Sequence, residues 1–149
     1  MTGDERAAAL GLLQYQRESF AEKLDGLPED RARWSPVDSG TSPLWLARHM
    51  ARAEIVWILI RFAGEPLEIP DDTPADGDTL EAAVADYRAL WPRIDAVIAA
   101  ADLDDRCASP DRGGAVDLRW ILLHLIEETA RHAGHADIVA EMIDGRTGR

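Results

Sequence analysis

The sequence predicts an all-α protein, a four-helix bundle, on three observations. Four stretches carry apolar residues at helical spacing, and none shows the alternation typical of a strand. Helix-capping residues bound these stretches. The 149 residues are enough for one domain with its own hydrophobic core, and we expect that domain to span residues 1–149.

The first helix is predicted from about Asp4 to Leu24. Thr2 and Glu5 stand three residues apart, the spacing of a capping box, in which each side chain satisfies a free backbone N–H of the first turn. The apolar stripe that should face the core consists of Ala8, Leu12, Tyr15, Phe20 and Leu24.

The second helix has the clearest start. Ser42 is a good N-cap, and Pro43 fits the first helical position because that position needs no backbone N–H. The apolar pattern continues to about Phe62 or Ala63, and Gly64 follows as the residue that ends the helix.

The third and fourth helices are predicted from about Asp78 to Ala101 and from Asp117 to about Ile143, with each aspartate as N-cap. Pro92 lies inside the third helix, so we expect a kink there or a break just before it. A glycine two residues after Ile143 ends the fourth helix.

Charge and hydropathy disfavour several classes of function. Sixteen basic and 28 acidic side chains leave a net charge of −12, which argues against nucleic acid or anionic lipid as a partner. No signal peptide is visible, and the longest apolar run, residues 55–60, is far shorter than a membrane span. We therefore expect a cytoplasmic protein. Cys107 is the single cysteine, which excludes an intrachain disulfide, and its polar surroundings predict a surface thiol.

The four histidines all lie on the second and fourth predicted helices. His49 shares a helical face with Trp45 and Val56, so its ring should point toward the core. At 100° per residue, one face of the fourth helix carries four ionisable side chains that all point within about 40° of the direction of Glu128. They are His124, Glu128, His132 and His135. The same face is apolar at both ends.

Burying several ionisable groups on one face requires a compensating partner, and a divalent metal ion is one. Glu128 and His132 stand four residues apart, so both can reach the same ion, and His49 would complete a set of three. Three protein ligands leave coordination positions open for water or substrate, as in catalytic sites. Alternatives stay open: His135 could replace His132, His124 could bond a backbone carbonyl, and Glu128 could pair with an arginine.

Two segments resemble a known family. Residues 44–54 (LWLARHMARAE) and 120–138 (WILLHLIEETARHAGHADI) are similar to conserved helices of the DinB-like superfamily, most of all its actinobacterial mycothiol-transferase-like branch. The resemblance implies a four-helix bundle with a metal held by His49, Glu128 and His132. Many members have a histidine where Glu128 stands, and mycothiol-dependent maleylpyruvate isomerases use a His-Glu-His set.

The resemblance also implies a chemistry. Relatives bind a low-molecular-weight thiol, mycothiol or bacillithiol, and a metal-bound thiolate attacks a small electrophile, so the chain would be an S-transferase or a thiol-dependent isomerase. Zinc, nickel, iron and manganese all suit this mixed nitrogen and oxygen ligand set. His124 or His135 would act as base or orient a ligand. A substrate carboxylate would be held by one of three arginines, Arg48, Arg52 or Arg131.

Two other functions compete with the enzyme. One is a non-catalytic metal-binding sensor or stress-response protein that forms a homodimer, because Trp57 and Ile58 point in different directions and would expose apolar surface. The other is an inert bundle whose histidines are satisfied core groups. Most acidic residues, Asp71 and Asp72 among them, are expected on loops and outer faces, and Glu128 is the one expected to face the core.

Overall fold

The computed structural model describes residues 4–109 and 114–148. Over these residues the chain forms four long helices and no β-strand, and the predicted all-α four-helix bundle is confirmed. A short 3₁₀ turn follows the first helix, and a π-helical segment continues the second. The helices are α1 (Glu5–Leu24), α2 (Pro43–Glu54), α3 (Leu80–Ala99) and α4 (Leu118–Asp144), with the π-helical segment at Ile55–Phe62.

Helix α1 starts one residue after Asp4, whose carboxylate accepts a hydrogen bond from the Arg6 backbone N–H at 3.1 Å. Thr2, the expected capping partner of Glu5, lies outside the described residues. The predicted stripe is wrong in part, because Leu12 is exposed, as is Tyr15. The buried face is shifted because it contains a charged residue that an apolar pattern does not count. Its members are Leu13, Arg17, Phe20, Ala21 and Leu24.

Helix α2 begins as predicted, with the Ser42 hydroxyl accepting a hydrogen bond from the Trp45 N–H at 3.2 Å. The predicted regular helix to Phe62 is wrong beyond Glu54, since the last eight residues form π-helical turns. Such wider turns are frequent at functional sites. Gly64 follows with a φ of 70°, a left-handed conformation that glycine adopts without strain.

The N-cap of α3 is Thr79 rather than Asp78. The Thr79 hydroxyl accepts from the Ala82 N–H at 3.2 Å, whereas the Asp78 carboxylate accepts from the Ala75 N–H at 2.7 Å and pairs with Arg48. Asp78 is therefore held by the preceding loop and is not free to cap the helix. The helix also continues through its internal proline to Ala99, so a break before Pro92 does not occur.

Helix α4 starts and ends close to the predicted positions. The Asp117 carboxylate accepts from the Trp120 N–H at 2.9 Å, and Gly145 ends the helix in a left-handed conformation. Among pairs of helices, α1 packs most extensively on α4, and α2 packs mainly on α3 but also on α4. The packing of α2 on α4 brings together the histidines that the two helices carry. None of the described helices is long and apolar enough to cross a membrane.

Cys107 is buried, so the prediction of a surface thiol is wrong. Its backbone N–H donates to the Val116 carbonyl at 2.8 Å, beside an antiparallel bridge between Arg106 and Asp117. This short pairing turns the thiol inward, where it joins the apolar cluster that contains Leu118. The polar neighbours in sequence gave no sign of the pairing.

A buried ion pair crosses the core between α1 and the end of α2. Arg17 donates to both carboxylate oxygens of Glu54 at 2.7 and 2.9 Å, and the Tyr87 hydroxyl donates to the same carboxylate at 3.1 Å. The Arg17 and Glu54 side chains are only 1% and 0% exposed. The expectation that Glu128 alone faces the core is therefore wrong, because Glu54 is more deeply buried and has a charged partner of its own.

Candidate metal centre

Helices α2 and α4 run antiparallel where they meet. Trp45, near the start of α2, contacts His132. Trp57, three residues beyond the end of α2, contacts Trp120 near the start of α4. This arrangement places the middle of α2 beside the middle of α4. His49 from α2 therefore faces Glu128 and His132, which lie one turn apart on α4.

The three side chains converge on a single point. His49 Nε2 lies 3.1 Å from Glu128 Oε1, and His132 Nε2 lies 3.2 Å from the same oxygen. One ligand atom from each residue lies within 4.8 Å of the others, which is close enough to hold one metal ion. The three side chains are 17%, 18% and 10% exposed, so the cluster has a side open to solvent.

The outer nitrogens of both imidazoles are also engaged. His49 Nδ1 lies 2.8 Å from Asp72 Oδ2, and His132 Nδ1 lies 3.2 Å from His135 Nδ1. If each ligand histidine carries its proton on Nδ1, both Nε2 atoms present a lone pair toward the Glu128 carboxylate. Three electron-rich atoms facing one another need a cation between them. Two imidazole nitrogens and one carboxylate oxygen fit a zinc, nickel, iron or manganese ion. The partner at the outer nitrogen of each histidine would orient that ligand.

Trp45 holds the two ligand rings in place. Its indole stacks on the His49 imidazole, with ring centres 4.6 Å apart and planes within 17°, and its edge contacts His132 at 5.8 Å. A stacked neighbour and a hydrogen bond behind the ring leave His49 little rotational freedom. Trp45 and Asp72 together keep the His49 ring facing Glu128.

Neighbouring charges shift the pKa values of two members of the triad. Burial raises the pKa of Glu128, but the hydrogen bond that a charged His49 donates to it and the positive charges of His132 and His49 outweigh burial, so this pKa lies below its usual value. Burial lowers the pKa of His132, and the nearby charge of His49 lowers it further. The carboxylate therefore stays ionised and His132 stays neutral, which are the states that bind a metal.

These shifts predict that the metal-free protein loses stability as the pH falls. His132 has a lowered pKa in the folded state, so the unfolded chain binds that proton first, below pH about 6.5, and stability is lost from there down to the folded pKa. Glu128 adds a second loss that begins below about pH 4.5. Urea unfolding between pH 8 and 5 should show the first loss in the wild type and a flatter profile in His132→Gln. A wild-type profile that is flat, or that rises as the pH falls, would contradict the assignment.

The two remaining histidines occupy different surroundings. His135 is exposed and touches the triad through the Nδ1 atom of His132. His124 lies one turn from Glu128, but its ring stacks on Trp120 at 5.2 Å and contacts Trp57 at 4.6 Å. Among the described contacts of His124, none reaches a triad residue.

The three arginines predicted to hold a substrate are used differently by the fold. Arg131 pairs with exposed Glu127 on the outer face of α4. Arg48 pairs with Asp78 at 2.9 Å and also donates to a loop carbonyl. Arg52 donates through Nε to the Pro70 carbonyl at 2.9 Å. Arg48 and Arg52 also line a cavity of about 250 Å³ beneath the loop that follows α2.

Asp72 is the site residue that the sequence analysis missed. It was expected among the acidic residues of loops and outer faces, and it does lie on the loop between α2 and α3, but its carboxylate contacts His49. The sequence carried no signal for this contact, because Asp72 stands among several acidic loop residues and 23 positions from its partner. The fold alone brings the two together.

Comparison with known proteins identifies the family. The family model described as mycothiol-S-transferase matches residues 8–145. The chain belongs to the mycothiol S-transferase family. The resemblance noted in the sequence is thereby confirmed, and the matched residues include the whole of the triad.

Solved structures support the same fold for this mycothiol S-transferase family member. A DinB-like protein from Bacillus cereus ATCC 10987 superposes with a TM-score of 0.69 over 90% of this chain and 89% of that one, at 17% identity. A conserved protein from Enterococcus faecalis gives a TM-score of 0.65 over 93% and 96%, at 20% identity. At these identities the likeness concerns the fold. No curated protein matches the sequence.

Proposed function

We propose that this chain is a divalent-metal-dependent S-transferase, or a thiol-dependent isomerase, that joins a mycothiol-type thiol to a small electrophile. The observation that carries the proposal is the convergence of His49, Glu128 and His132 on one point, with both histidines supported from behind. The family match indicates which chemistry such a site would serve.

The proposed ligands are His49, Glu128 and His132, and the open side of the cluster admits the thiol. A divalent ion bound there lowers the pKa of a thiol and favours the thiolate. In transfer, the sulfur forms a bond to the electrophilic carbon, the leaving group departs with its electron pair, and the thiol proton passes to a base. In isomerisation the carbon–sulfur bond breaks again after rearrangement. No protein nucleophile is needed, which agrees with the buried position of Cys107.

The two outer histidines divide the roles that the sequence left open. His135 contacts His132 Nδ1, so we assign it to orienting that ligand. His124 is 24% exposed, lies one turn from Glu128 and has no hydrogen-bond partner closer than 3.6 Å among the described residues. A ring nitrogen without a close partner can accept a proton, and we therefore assign His124 as the general base that takes the thiol proton.

This division predicts different losses in two variants. His124→Ala should lower kcat by about 10²–10⁴-fold and leave zinc affinity unchanged, as expected for loss of a general base. His135→Ala should lower zinc affinity by about 10–100-fold, as expected for a group that orients a ligand. Chelator competition and steady-state kinetics on both variants separate the roles. Equal metal affinity in His135→Ala and the wild type, or unchanged kcat in His124→Ala, would remove the corresponding assignment.

Arg52 is the arginine we propose for a substrate carboxylate. Only its Nε is used by a described partner, whereas Arg48 is paired with Asp78 and Arg131 with Glu127. Its two terminal amino groups remain available beside His49, one turn along α2. A carboxylate-bearing electrophile should therefore show a higher KM with Arg52→Ala than with Arg131→Ala.

The function is tested with zinc-loaded protein, mycothiol and 1-chloro-2,4-dinitrobenzene as the model electrophile. We expect thioether formation above the uncatalysed rate, lost after chelation and in His49→Ala. If the protein speeds up the reaction of neither mycothiol nor bacillithiol with any of several electrophiles, the proposed enzyme activity is contradicted. Bound metal without turnover would instead support the non-catalytic sensor.

We also propose a cytoplasmic homodimer. Side chains on the outer faces of α1 and α4 leave apolar surface uncovered: Leu12 is 53% and Leu123 is 59% exposed, and both line an apolar groove between the two helices. Sedimentation velocity of the wild type and of Leu123→Glu tests the dimer. A monomeric wild type would contradict it.

A further inference from the structure

The loop after α2 places a carboxylate behind the first ligand of the triad. Asp72 Oδ2 lies 2.8 Å from His49 Nδ1, and the Asp72 side chain is 23% exposed. His49 is its only described partner. The neighbouring Asp71 differs, because its carboxylate accepts from the Thr73 backbone N–H at 2.8 Å and so stabilises the local turn. The Asp72 side chain is therefore not used to fold the loop.

Two arginines fasten this loop to the helix that carries His49. Arg48 donates to the Asp71 carbonyl at 2.7 Å and pairs with Asp78 at 2.9 Å, and Arg52 donates to the Pro70 carbonyl at 2.9 Å. Both arginines lie within one turn of His49. The carbonyls they bind belong to the two residues immediately before Asp72, which fixes the loop backbone where its carboxylate reaches the imidazole.

We propose that Asp72 is a positioning residue that holds His49 in the Nδ1-protonated tautomer, with Nε2 free to bind a metal ion, and that Arg48 and Arg52 hold Asp72 in place. The Nδ1–H donates to the carboxylate, so the lone pair of Nε2 points at the Glu128 side of the cluster. The inference rests on the metal site of the proposed function. It gives Arg48 a role other than substrate binding and gives Arg52 a second role beside its proposed contact with a substrate carboxylate. It also ties metal affinity to a loop distant in sequence from all three ligands.

The test compares Asp72→Ala with Asp71→Asn, the neighbouring carboxylate that does not reach His49. In zinc-loaded protein, ¹H–¹⁵N NMR of ring-labelled histidines should show a His49 Nδ1–H proton that is shifted downfield and protected from exchange with water in the wild type and in Asp71→Asn. Asp72→Ala should lose both the shift and the protection, because the acceptor of this proton is gone. Zinc affinity from chelator competition should fall by about 10–100-fold in Asp72→Ala, the usual cost of losing such a partner, and stay within about twofold in the control. Asp72→Asn, which keeps an acceptor oxygen, should recover part of the loss.

A double variant tests the role of Arg52. If Arg52 acts on the metal through the loop, Arg52→Ala should weaken zinc binding less than Asp72→Ala, and the double variant should bind zinc no more weakly than Asp72→Ala alone. Additive losses would overturn this part of the inference, because they would show that Arg52 acts on the ion independently of Asp72.

The outcomes separate this inference from the proposed function. An Asp72→Ala protein with wild-type protection of the His49 Nδ1–H proton and wild-type zinc affinity overturns the inference, even where the wild type transfers thiols. If Asp72→Ala loses zinc affinity while the wild type binds zinc but transfers no thiol, the inference is supported and the proposed enzyme activity is contradicted. A wild type that binds no zinc contradicts both.

Discussion

Glu128→Gln should lower zinc affinity by more than about 100-fold, since loss of a group that only orients a ligand already costs about 10–100-fold. The substitution keeps the size of the side chain and removes the negative charge toward which both Nε2 atoms point, at 3.1 and 3.2 Å. Thiol transfer should be lost with the metal. Chelator competition measures the affinity directly.

Glu127→Gln is the matched control for this variant. Glu127 is the preceding residue on α4, 54% exposed, and pairs with Arg131 on the outer face. Its substitution should leave zinc affinity unchanged. Similar affinities in Glu128→Gln and the wild type would mean that the carboxylate is not a ligand, and they would return Glu128 to the alternative of a simple hydrogen-bond partner.

The second large effect concerns stability. Glu54→Ala leaves the Arg17 guanidinium buried without its main partner, and breaking a buried ion pair in this way costs about 3–5 kcal/mol. For a chain of this size that corresponds to a fall in Tm of about 6–20 °C. Thermal unfolding followed by circular dichroism tests it, and zinc affinity measured below the transition should not change, because the pair lies outside the triad.

Two further variants show whether the buried charge is the cause. Asp95 also pairs with Arg17 but is 49% exposed, so Asp95→Ala should cost less than about 1 kcal/mol. Replacing both buried partners, Arg17→Met with Glu54→Leu, should recover most of the stability, since an apolar pair of similar volume avoids the desolvation cost. A Glu54→Ala protein as stable as Asp95→Ala would contradict this explanation.

Helical spacing predicted the parts of the structure that depend on local sequence. Ser42 and Asp117 cap their helices as expected because a cap needs only the N–H groups of the next turn. Glu128 and His132 were expected to share a target because four residues make one turn, and their close approach follows. His49 pointed to the same core because its face was otherwise apolar.

The features that the sequence did not show depend on contacts between distant segments. Burial of Arg17 was invisible because its partner Glu54 lies 37 residues away, and an apolar pattern does not expect a charge inside. Asp72 looked like any acidic loop residue until the fold set it behind His49. Cys107 faced the core because of a backbone pairing that its polar neighbours did not reveal. In each case the deciding interaction is non-local.

The most direct test of the central claim is whether an added thiol binds the metal at this triad. Cobalt(II) replaces the ion in a Cys107→Ser background, which removes the protein's own thiol, and mycothiol is then added. We predict a new thiolate-to-cobalt charge-transfer band in the near ultraviolet, absent in His49→Ala. A cobalt spectrum that mycothiol leaves unchanged, in protein shown to hold one cobalt per chain, would contradict the claim.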